Sequence, residues 1–467
     1  MGEPTRGTLL SKGRHRMMEP LEGTMTEPQT SESISTKIER IAKQAKEAPE
    51  MAFRSLAHHI DIEWLREAYR RTRKDGAVGV DGQSAEDYAA NLEGNLRSLL
   101  DRAKSGTYQA PPVRRVHIPK GSGSETRPIG IPTFEDKLLQ RAVAMVLEAV
   151  YEQDFLDCSY GFRPRRSAHH ALDALQHQAM VMGGGWVIEV DIRKFFDTIG
   201  HDHLRQFLRR RVHDGVLLRL IGKWLNAGVL ENGSIVRPEE GSPQGGVISP
   251  ILANVYLHEV LDVWFDREVR PRLSGEAHLF RYADDAVLLF ANEDDARRVM
   301  AVLPKRFGRY GLTLHPGKTR LVEFRRPDRR SPPRTETGTF DLLGFTHFWG
   351  VARSGNWIVK RKTAKDRFRK ALKRLADWCK IHLHESLETQ WRILGSKLRG
   401  HFGYYGIVGN FRAIARFREE ARRVWQKWLN RRSQRASMRW DRMQRLLERY
   451  PLPRARISPT PPRAANP

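Results

Sequence analysis

The chain has few cysteines and no long run of apolar residues. Only two of its 467 residues are cysteines, Cys158 and Cys379. Two cysteines cannot build a disulfide framework or a cysteine-based zinc module, and they are typical of a protein in a reducing compartment. No stretch of about 18 apolar residues suggests a membrane-spanning helix, and the first residues lack the apolar core of a signal peptide. These absences predict a cytoplasmic protein.

Acidic residues are scarce in one part of the chain. Overall, 81 Lys and Arg stand against 55 Asp and Glu, a net charge of +26. Residues 351–450 hold 27 basic and only 8 acidic residues, whereas residues 1–350 are nearly balanced, with 51 and 47. A generally basic protein would not cluster its charge in this way. The asymmetry therefore predicts a nucleic-acid-binding surface in the C-terminal part.

Two carboxylates stand side by side within the apolar stretch 280–290. The flanking apolar residues predict a β-hairpin with Asp284 and Asp285 at its tip. Adjacent like charges repel, and a divalent cation removes this cost, because Mg²⁺ is held by one or two carboxylates together with substrate phosphates. The alternative is an ordinary solvated turn, since aspartate is common in turns.

A third carboxylate, Asp191, ends a short β-branched run that begins at Trp186. A carboxylate at a strand end, beside a hairpin tip that carries two more, can hold a pair of metal ions. Such a pair clamps the attacking and leaving oxygens in phosphoryl transfer. We therefore predict a site with two Mg²⁺ ions at Asp191, Asp284 and Asp285, and we include Ile192 among its metal-site residues.

These motifs resemble those of the reverse transcriptases that bacterial group II introns encode. Tyr282–Asp285 matches the signature tetrapeptide of the reverse transcriptase palm. Other matching segments resemble blocks of the same family, namely 127–133 in the fingers, 159–167, 241–254, and the primer-grip hairpin at 340–345. The resemblance implies an α+β right-hand polymerase, with fingers, a palm built on an antiparallel sheet, and an α-helical thumb.

The resemblance also suggests how the chain is divided. We predict a disordered lead-in at 1–34, fingers and palm at 35–350, a helical thumb and maturase domain at 358–450, and a proline-rich tail at 451–467. Many relatives carry an additional endonuclease with cysteine pairs, which this sequence does not contain. The resemblance thus places the chain with the endonuclease-lacking intron proteins, whose DNA primers come from elsewhere, such as a replication fork.

The activity implied by the resemblance is RNA-directed DNA synthesis. The protein would copy intron RNA into cDNA from dNTPs for retrohoming, with Asp191, Asp284 and Asp285 as catalytic residues and Asp285 in the less direct role. It would also bind its intron RNA as a splicing maturase, and its partners would include an RNA template with a DNA primer and the target DNA. The ribonucleoprotein would associate with the bacterial nucleoid. Two alternatives stay open: a reverse transcriptase of a phage-defence or diversity-generating system, and a splicing factor that only binds RNA.

Several residues are predicted to contact the incoming nucleotide, namely Lys120, Arg127, Phe196, Gln244 and Lys318. Lys120 and Arg127 would lie at the mouth of a basic hairpin and neutralise the triphosphate. Phe196 resembles the family's sugar gate, which excludes a 2′-hydroxyl, although it could also be a core residue. Gln244 can offer both a donor and an acceptor, and Lys318 could reach a phosphate near the metal ions.

A further set is predicted to contact nucleic acid, namely Arg163, Arg165, Gly344, Arg399, Arg422 and Arg423. The first two lie among aromatic residues, which suits a loop that grips a backbone or a template base. Gly344 belongs to the segment that resembles the primer grip. The last three are basic residues of the predicted thumb, where we expect phosphate contacts, while most of the nearby tryptophans fill the helical core.

Overall fold

A computed structural model describes residues 33–119, 126–231, 234–236, 241, 245–328, 338–432 and 438–457. The helices are α1 (Ile34–Glu47), α2 (Ile62–Arg71), α3 (Ala85–Ala89), α4 (Leu92–Ser105), α5 (Phe134–Tyr151), α6 (Ala168–Val181), α7 (His201–Arg209), α8 (Gly215–Leu225), α9 (Ser249–Leu257), α10 (Glu293–Gly308), α11 (Lys365–Ile381), α12 (Leu387–Tyr405), α13 (Phe411–Leu429) and α14 (Trp440–Arg449). The strands are β1 (Val113–Pro119), β2 (Thr126–Ile131), β3 (Trp186–Val190), β4 (Val229–Glu231), β5 (Ser234–Val236), β6 (Ala277–Tyr282), β7 (Asp285–Phe290), β8 (Arg320–Glu323), β9 (Phe340–Leu342), β10 (Phe345–Val351) and β11 (Trp357–Thr363).

Local sequence chemistry sets several helix boundaries. The Ser33 hydroxyl accepts a hydrogen bond from the backbone N–H of Thr36 and caps α1. Ser84 and Asp87 form a capping box at the start of α3. Each such cap satisfies backbone N–H groups that have no partner inside the helix.

The central sheet is antiparallel, with the strand order β6-β7-β3-β8. Its middle strands are almost wholly apolar and buried, as in Val187 and Ile188 of β3 and Leu288 and Leu289 of β7. Strands covered on both faces read as continuous apolar runs, which explains the pattern in the sequence. This sheet is the one predicted to form the palm, and its strand ends carry the candidate catalytic carboxylates.

A second sheet has the order β2-β1-β4-β5, and in the sequence its strands come from both sides of β3. Strands β1 and β2 form the predicted antiparallel hairpin, and Val113 of β1 pairs in parallel with Val229 of β4. Helix α5 follows β2 and is buried along most of its length. Strand β2 and its connection to α5 contain residues 127–133, the segment predicted to belong to the fingers.

The remaining strands form a small sheet, β11-β10-β9, that leads into the helices α11–α14. The helical domain encloses its own core around Leu398, Phe417 and Trp425. It begins at Lys365 and not at the predicted position 358, because residues 357–363 still pair with β10. Residues 451–457, interpreted as the start of a tail, pack against these helices, with Leu452 buried. Within the described residues, no helix is long and apolar enough to span a membrane.

Candidate active site

The hairpin that carries the acidic pair turns within two residues. Tyr282 at the end of β6 pairs with Asp285 at the start of β7, so Ala283 and Asp284 form the turn. Ala283 has a φ of +57°, a left-handed conformation that costs an L-residue about 1–2 kcal/mol. The surrounding structure must therefore stabilise this turn.

Arg281 provides much of that support, because its guanidinium is fully buried behind the turn. Nη1 donates to the Ala283 carbonyl at 3.1 Å and to the Asn254 side-chain oxygen at 3.0 Å. Nε and Nη2 donate to the two carboxylate oxygens of Asp262, and Nη2 also donates to the Ser159 hydroxyl at 2.7 Å. The arginine thus joins the backbone of the acidic turn to the helix behind it and to the 158–160 segment.

Gly161 allows a second backbone to approach the turn. The Tyr160 N–H donates to the Arg281 carbonyl at 2.8 Å, which extends the sheet beyond β6. A Cβ at position 161 would lie 2.4 Å from the backbone nitrogen of Ala283, closer than real Cβ contacts allow. Only glycine fits at this position, so the loop at 159–167 packs directly against the backbone of the acidic turn.

Asp191 follows the last residue of β3, at the same end of the palm sheet as the acidic turn. Val190 pairs with Ala286 of the neighbouring β7, so the next residue, Asp191, lies beside Asp285. The Lys318 ammonium lies 3.2 Å and 3.5 Å from the two Asp191 carboxylate oxygens. The register of the sheet therefore brings together the acidic residues that the sequence places far apart, and it adds Lys318 to the same site.

The electrostatics of Asp285 reflect this crowding. Asp285 is exposed as a residue, but protein atoms surround its carboxyl group on most sides. This burial is the main cause that raises the pKa of the carboxyl group to about 6. The neighbouring Asp284 and then Asp191 raise the pKa further, while Arg367 and Lys318 act in the opposite direction. The three aspartates thus repel one another within one site.

The donor set fits a hard divalent cation, because all the candidate side-chain donors are carboxylate oxygens. Among the described residues, however, no three His, Cys, Asp or Glu side chains are close enough together to hold one ion as a group. One carboxylate, Asp191, is instead paired with Lys318. Ile192 has an apolar side chain, so only its backbone carbonyl could serve as a ligand.

Arg367, in the first turn of α11, carries no signal in the sequence that sets it apart from the other basic residues of its helix. Its charge acts on Asp285, and its Cγ lies 3.5 Å from the position that a Cβ would occupy on Gly344. Gly344 and Leu343 form the tip of the β9–β10 hairpin, and both have positive φ angles. The Tyr404 hydroxyl donates to the Leu343 carbonyl at 2.8 Å, which joins the hairpin to α12. A cation of the helical domain therefore lies near the β9–β10 hairpin and acts on the acidic turn.

The other predicted residues near the palm differ in their surroundings. Phe195 is buried in the core, whereas Phe196 is only half-buried and packs edge-on against it. Arg165 is exposed. Arg163, by contrast, is buried, and its guanidinium donates to the Glu152 carboxylate and to the carbonyls of Leu156 and Ser159. The structure gives Arg163 a role inside the protein in place of the predicted nucleic-acid contact.

Three predicted nucleotide contacts fall wholly or partly outside the described residues. Lys120 and Gln244 lie outside them, and so does the side chain of Arg127. The backbone of Arg127 pairs with Ile118 in the β1–β2 hairpin. Gly241 lies close to the segment after β3, because a Cβ on it would lie 2.9 Å from the Phe196 carbonyl oxygen.

The three thumb arginines are not equivalent. Arg399 is exposed on α12, and the Arg423 side chain on α13 is 69% exposed, with a long contact to Glu420 at 3.4 Å. The Arg422 side chain is only 18% exposed, pairs with Glu419 at 2.8 Å and lies over the Trp440 ring. Arg399 and Arg423 are therefore available to phosphates, while Arg422 is largely engaged within the domain.

Comparison with known proteins agrees with this architecture. Residues 118–347 match the family described as reverse transcriptase (RNA-dependent DNA polymerase), and this part of the chain belongs to that family. This membership, the antiparallel palm sheet and the helical C-terminal region confirm the predicted α+β polymerase fold.

Similarity to individual proteins indicates a more specific class of reverse transcriptase. The chain is 38% identical over 248 residues to the group II intron-encoded protein LtrA of Lactococcus lactis subsp. cremoris, covering 51% of this chain and 41% of LtrA. It is 40% identical over 257 residues to Protein YkfC of Escherichia coli, covering 53% of this chain and 66% of that protein. The matches thus span less than half of LtrA and about two thirds of YkfC. They confirm the predicted relationship to group II intron-encoded reverse transcriptases.

Proposed function

We propose that the chain is an RNA-directed DNA polymerase that extends a DNA primer with dNTPs on an RNA template. One observation carries the proposal: the pairing of β3 with β7 sets Asp191 beside the Asp284–Asp285 turn. Family membership of the same segment supports it. Carboxylates at adjacent strand ends suit phosphoryl transfer, in which the protein mainly positions the reactants and stabilises charge.

Two Mg²⁺ ions are the cofactor we propose, held by Asp191, Asp284 and the Ile192 carbonyl, with Asp285 supporting the site. When bound, they would lower the cost of negative charge on the reacting oxygens. The Lys318 ammonium would bind a phosphate of the incoming nucleotide, and Phe196 would press on its sugar. The Gly344 turn would hold the primer end, with its position fixed by Tyr404.

The test is primer extension with purified protein, Mg²⁺, an RNA template and a DNA primer. Asp284→Asn should abolish extension, because it removes a charged ligand while keeping the shape of the side chain. Asp202→Asn is the matched control, since its side chain is 96% exposed in the same domain, and its extension rate should equal that of the wild type. Equal extension by Asp284→Asn and the control would refute the assignment.

The proposed sugar gate has its own test. Phe196→Ala opens space beside C2′ of the nucleotide and should raise the kcat/KM for rNTPs relative to dNTPs. Phe195→Ala removes a buried neighbour and should lower stability without changing that ratio. An unchanged ratio in Phe196→Ala would place the gate elsewhere.

We infer a second function, binding of a group II intron RNA as a maturase in a cytoplasmic ribonucleoprotein that reaches nucleoid DNA. The basic helical domain supports this inference. So do the names of relatives, since the chain is also 24% identical over 280 residues to nuclear intron maturase 3 of Arabidopsis thaliana. A reverse transcriptase of a defence or diversification system would not need to bind intron RNA.

Salt-dependent binding distinguishes these functions. Arg399→Gln with Arg423→Gln removes two exposed charges, and each lost phosphate contact should lower the salt slope of intron binding by roughly 0.7–0.9. Arg422→Gln should change the slope less, because that arginine pairs with Glu419. Splicing assistance should fall with binding, whereas Asp284→Asn should leave both nearly intact. An unchanged slope in the double variant would place the RNA surface elsewhere.

A further inference from the structure

A groove of about 490 Å³ opens on the helical domain, between α13 and the 451–457 segment. Its apolar lining comes from Phe411, Ala415 and Ala455. Phe411 is the first residue of α13 and is 52% exposed, which is unusual for a phenylalanine away from an interface. The volume lies within the range of about 300–1,000 Å³ that small-ligand sites occupy.

Arginines line the same groove. Arg418 is engaged in building it, because Nε donates to the Pro453 carbonyl at 3.0 Å and so holds the 451–457 segment against α13. The one acidic residue of the lining is Glu419. Arg418 and Arg422 both contact its carboxylate and so offset its negative charge. A hydrogen bond therefore joins the two sides of the groove, which an aromatic residue and several arginines line.

Two cationic groups of the lining remain available. Arg416 and Arg454 are both exposed and form no ion pair with a carboxylate within the described part of the chain. The Arg416 guanidinium lies 5.4 Å from the centre of the Phe368 ring, which orients it but leaves its hydrogen-bond donors usable. The groove therefore offers an open aromatic face beside two uncompensated positive charges.

We propose that this groove binds an unpaired nucleotide of RNA, with the base against Phe411 and the backbone phosphates on Arg416 and Arg454. The proposal rests on the RNA-binding function inferred above and gives it a site. Base–aromatic stacking with arginine contacts to phosphate is how proteins hold single-stranded nucleic acid. A paired base in a duplex keeps its faces stacked on its neighbours and could not enter.

The probes are a fluorescent single-stranded RNA 12-mer and the same strand within an RNA duplex, titrated into the full chain. Phe411→Ala should weaken single-strand binding about 5- to 140-fold, the range of one lost stacking contact, without changing the salt slope. Arg454→Gln should weaken binding and lower the slope by roughly 0.7. Duplex binding should change less than twofold in Phe411→Ala.

The control variants separate base stacking from apolar packing and from a loss of folding. Phe411→Trp should retain single-strand affinity and Phe411→Leu should lose it, because leucine is apolar but has no π face. Ile381→Ala, an exposed apolar residue outside the groove, should bind like the wild type. The far-ultraviolet circular dichroism of Phe411→Ala should match that of the wild type, which shows that the variant is folded.

The outcomes are distinct from those that test RNA binding itself. If the wild type binds RNA but Phe411→Ala binds the single strand equally well, the groove proposal is overturned and the RNA-binding function stands. Equal losses for single strand and duplex, or full affinity in Phe411→Leu, would likewise overturn it, because neither result is that of base stacking. If the wild type binds neither RNA, both proposals fall.

Discussion

The Arg281 guanidinium lies against the Asp262 carboxylate, with Nε 2.7 Å from Oδ1 and Nη2 2.5 Å from Oδ2, and neither side chain is exposed. The same guanidinium donates to the carbonyl of Ala283 in the acidic turn. A buried ion pair does not by itself stabilise a fold, since the cost of desolvation offsets the attraction. The pair instead fixes geometry, because it holds a left-handed alanine next to the candidate catalytic carboxylates.

Breaking this pair should be costly. Asp262→Asn leaves a buried guanidinium without its counter-charge, and we expect apparent stability to fall by about 3–5 kcal/mol. Urea unfolding followed by tryptophan fluorescence measures the loss. Asp202→Asn breaks an exposed pair with Arg205 and should cost less than about 1 kcal/mol. A similar small loss in both variants would show that Asp262 does not hold the charge of Arg281.

Gly161→Ala tests the support of the turn from the other side. The added methyl group would collide with the backbone of Ala283, so the turn must shift, and we expect the rate of single-nucleotide addition to fall at least about tenfold. Primer–template affinity should change little, because the shift is local. Rapid-quench kinetics at saturating substrates measure the rate.

Gly222→Ala is the matched control for that variant. A Cβ at position 222 in α8 meets no atom within 4 Å, so the substitution should leave the addition rate unchanged and stabilise the helix slightly. A normal addition rate in Gly161→Ala would mean that the turn tolerates displacement.

The hairpin and the strand that carry the aspartates could be predicted from sequence because their signals are local. Alternation of apolar residues and turn formers locates the 280–290 hairpin, and a β-branched run ending in a carboxylate locates Asp191. The sheet register that brings them together is a tertiary property, yet two strands buried on both faces leave few ways to pair. The resemblance to group II intron reverse transcriptases further indicated that the three aspartates share one site.

The roles of the arginines could not be predicted in the same way. Arg163 and Arg165 have similar neighbours in the sequence, but only Arg163 finds the Glu152 carboxylate and three backbone carbonyls within reach. Whether a guanidinium is buried depends on acceptors that come from other segments. For the same reason the sequence gives no sign of the role of Arg281, although it lies next to the signature tetrapeptide.

Arg367 provides a prediction about the primer. Its Cγ lies near the Gly344 turn and its charge acts on Asp285, so under the proposed function it suits a contact with a phosphate of the primer strand. Arg367→Gln should raise the KM for primer–template about tenfold, the effect of one lost charged hydrogen bond, and leave the KM for dNTP unchanged. Steady-state primer extension with each substrate varied separately measures both constants.

Two further variants sharpen that test. Arg367→Lys keeps the charge but loses the bidentate geometry, so its KM should lie between those of the wild type and Arg367→Gln. Arg369→Gln removes an exposed charge from the same helix and should have little effect. A rise in the KM for dNTP alone would instead assign Arg367 to the nucleotide.

Asp136 makes stability depend on pH in a specific direction. It is buried in α5, where the Tyr108 hydroxyl donates to it at 2.7 Å and the Gln140 amide at 3.2 Å. Burial outweighs these hydrogen bonds and raises its pKa from 3.8 to about 6, with a smaller contribution from the Glu135 charge. Between these two values the folded chain keeps a proton that the unfolded chain has lost.

The stability that this group contributes is therefore complete below about pH 4 and disappears as the pH rises through about 6. A shift of about two pKa units corresponds to roughly 3 kcal/mol at most. Asp136→Asn removes the titration, so its free energy of unfolding should fall less steeply than that of the wild type between pH 4 and 7. Urea unfolding at intervals of half a pH unit measures both slopes, and Asp157→Asn, an exposed carboxylate, should keep the wild-type slope. If Asp136→Asn also keeps that slope, the Asp136 carboxyl is already ionised in the folded protein at pH 4, and hydrogen bonding outweighs burial at this position.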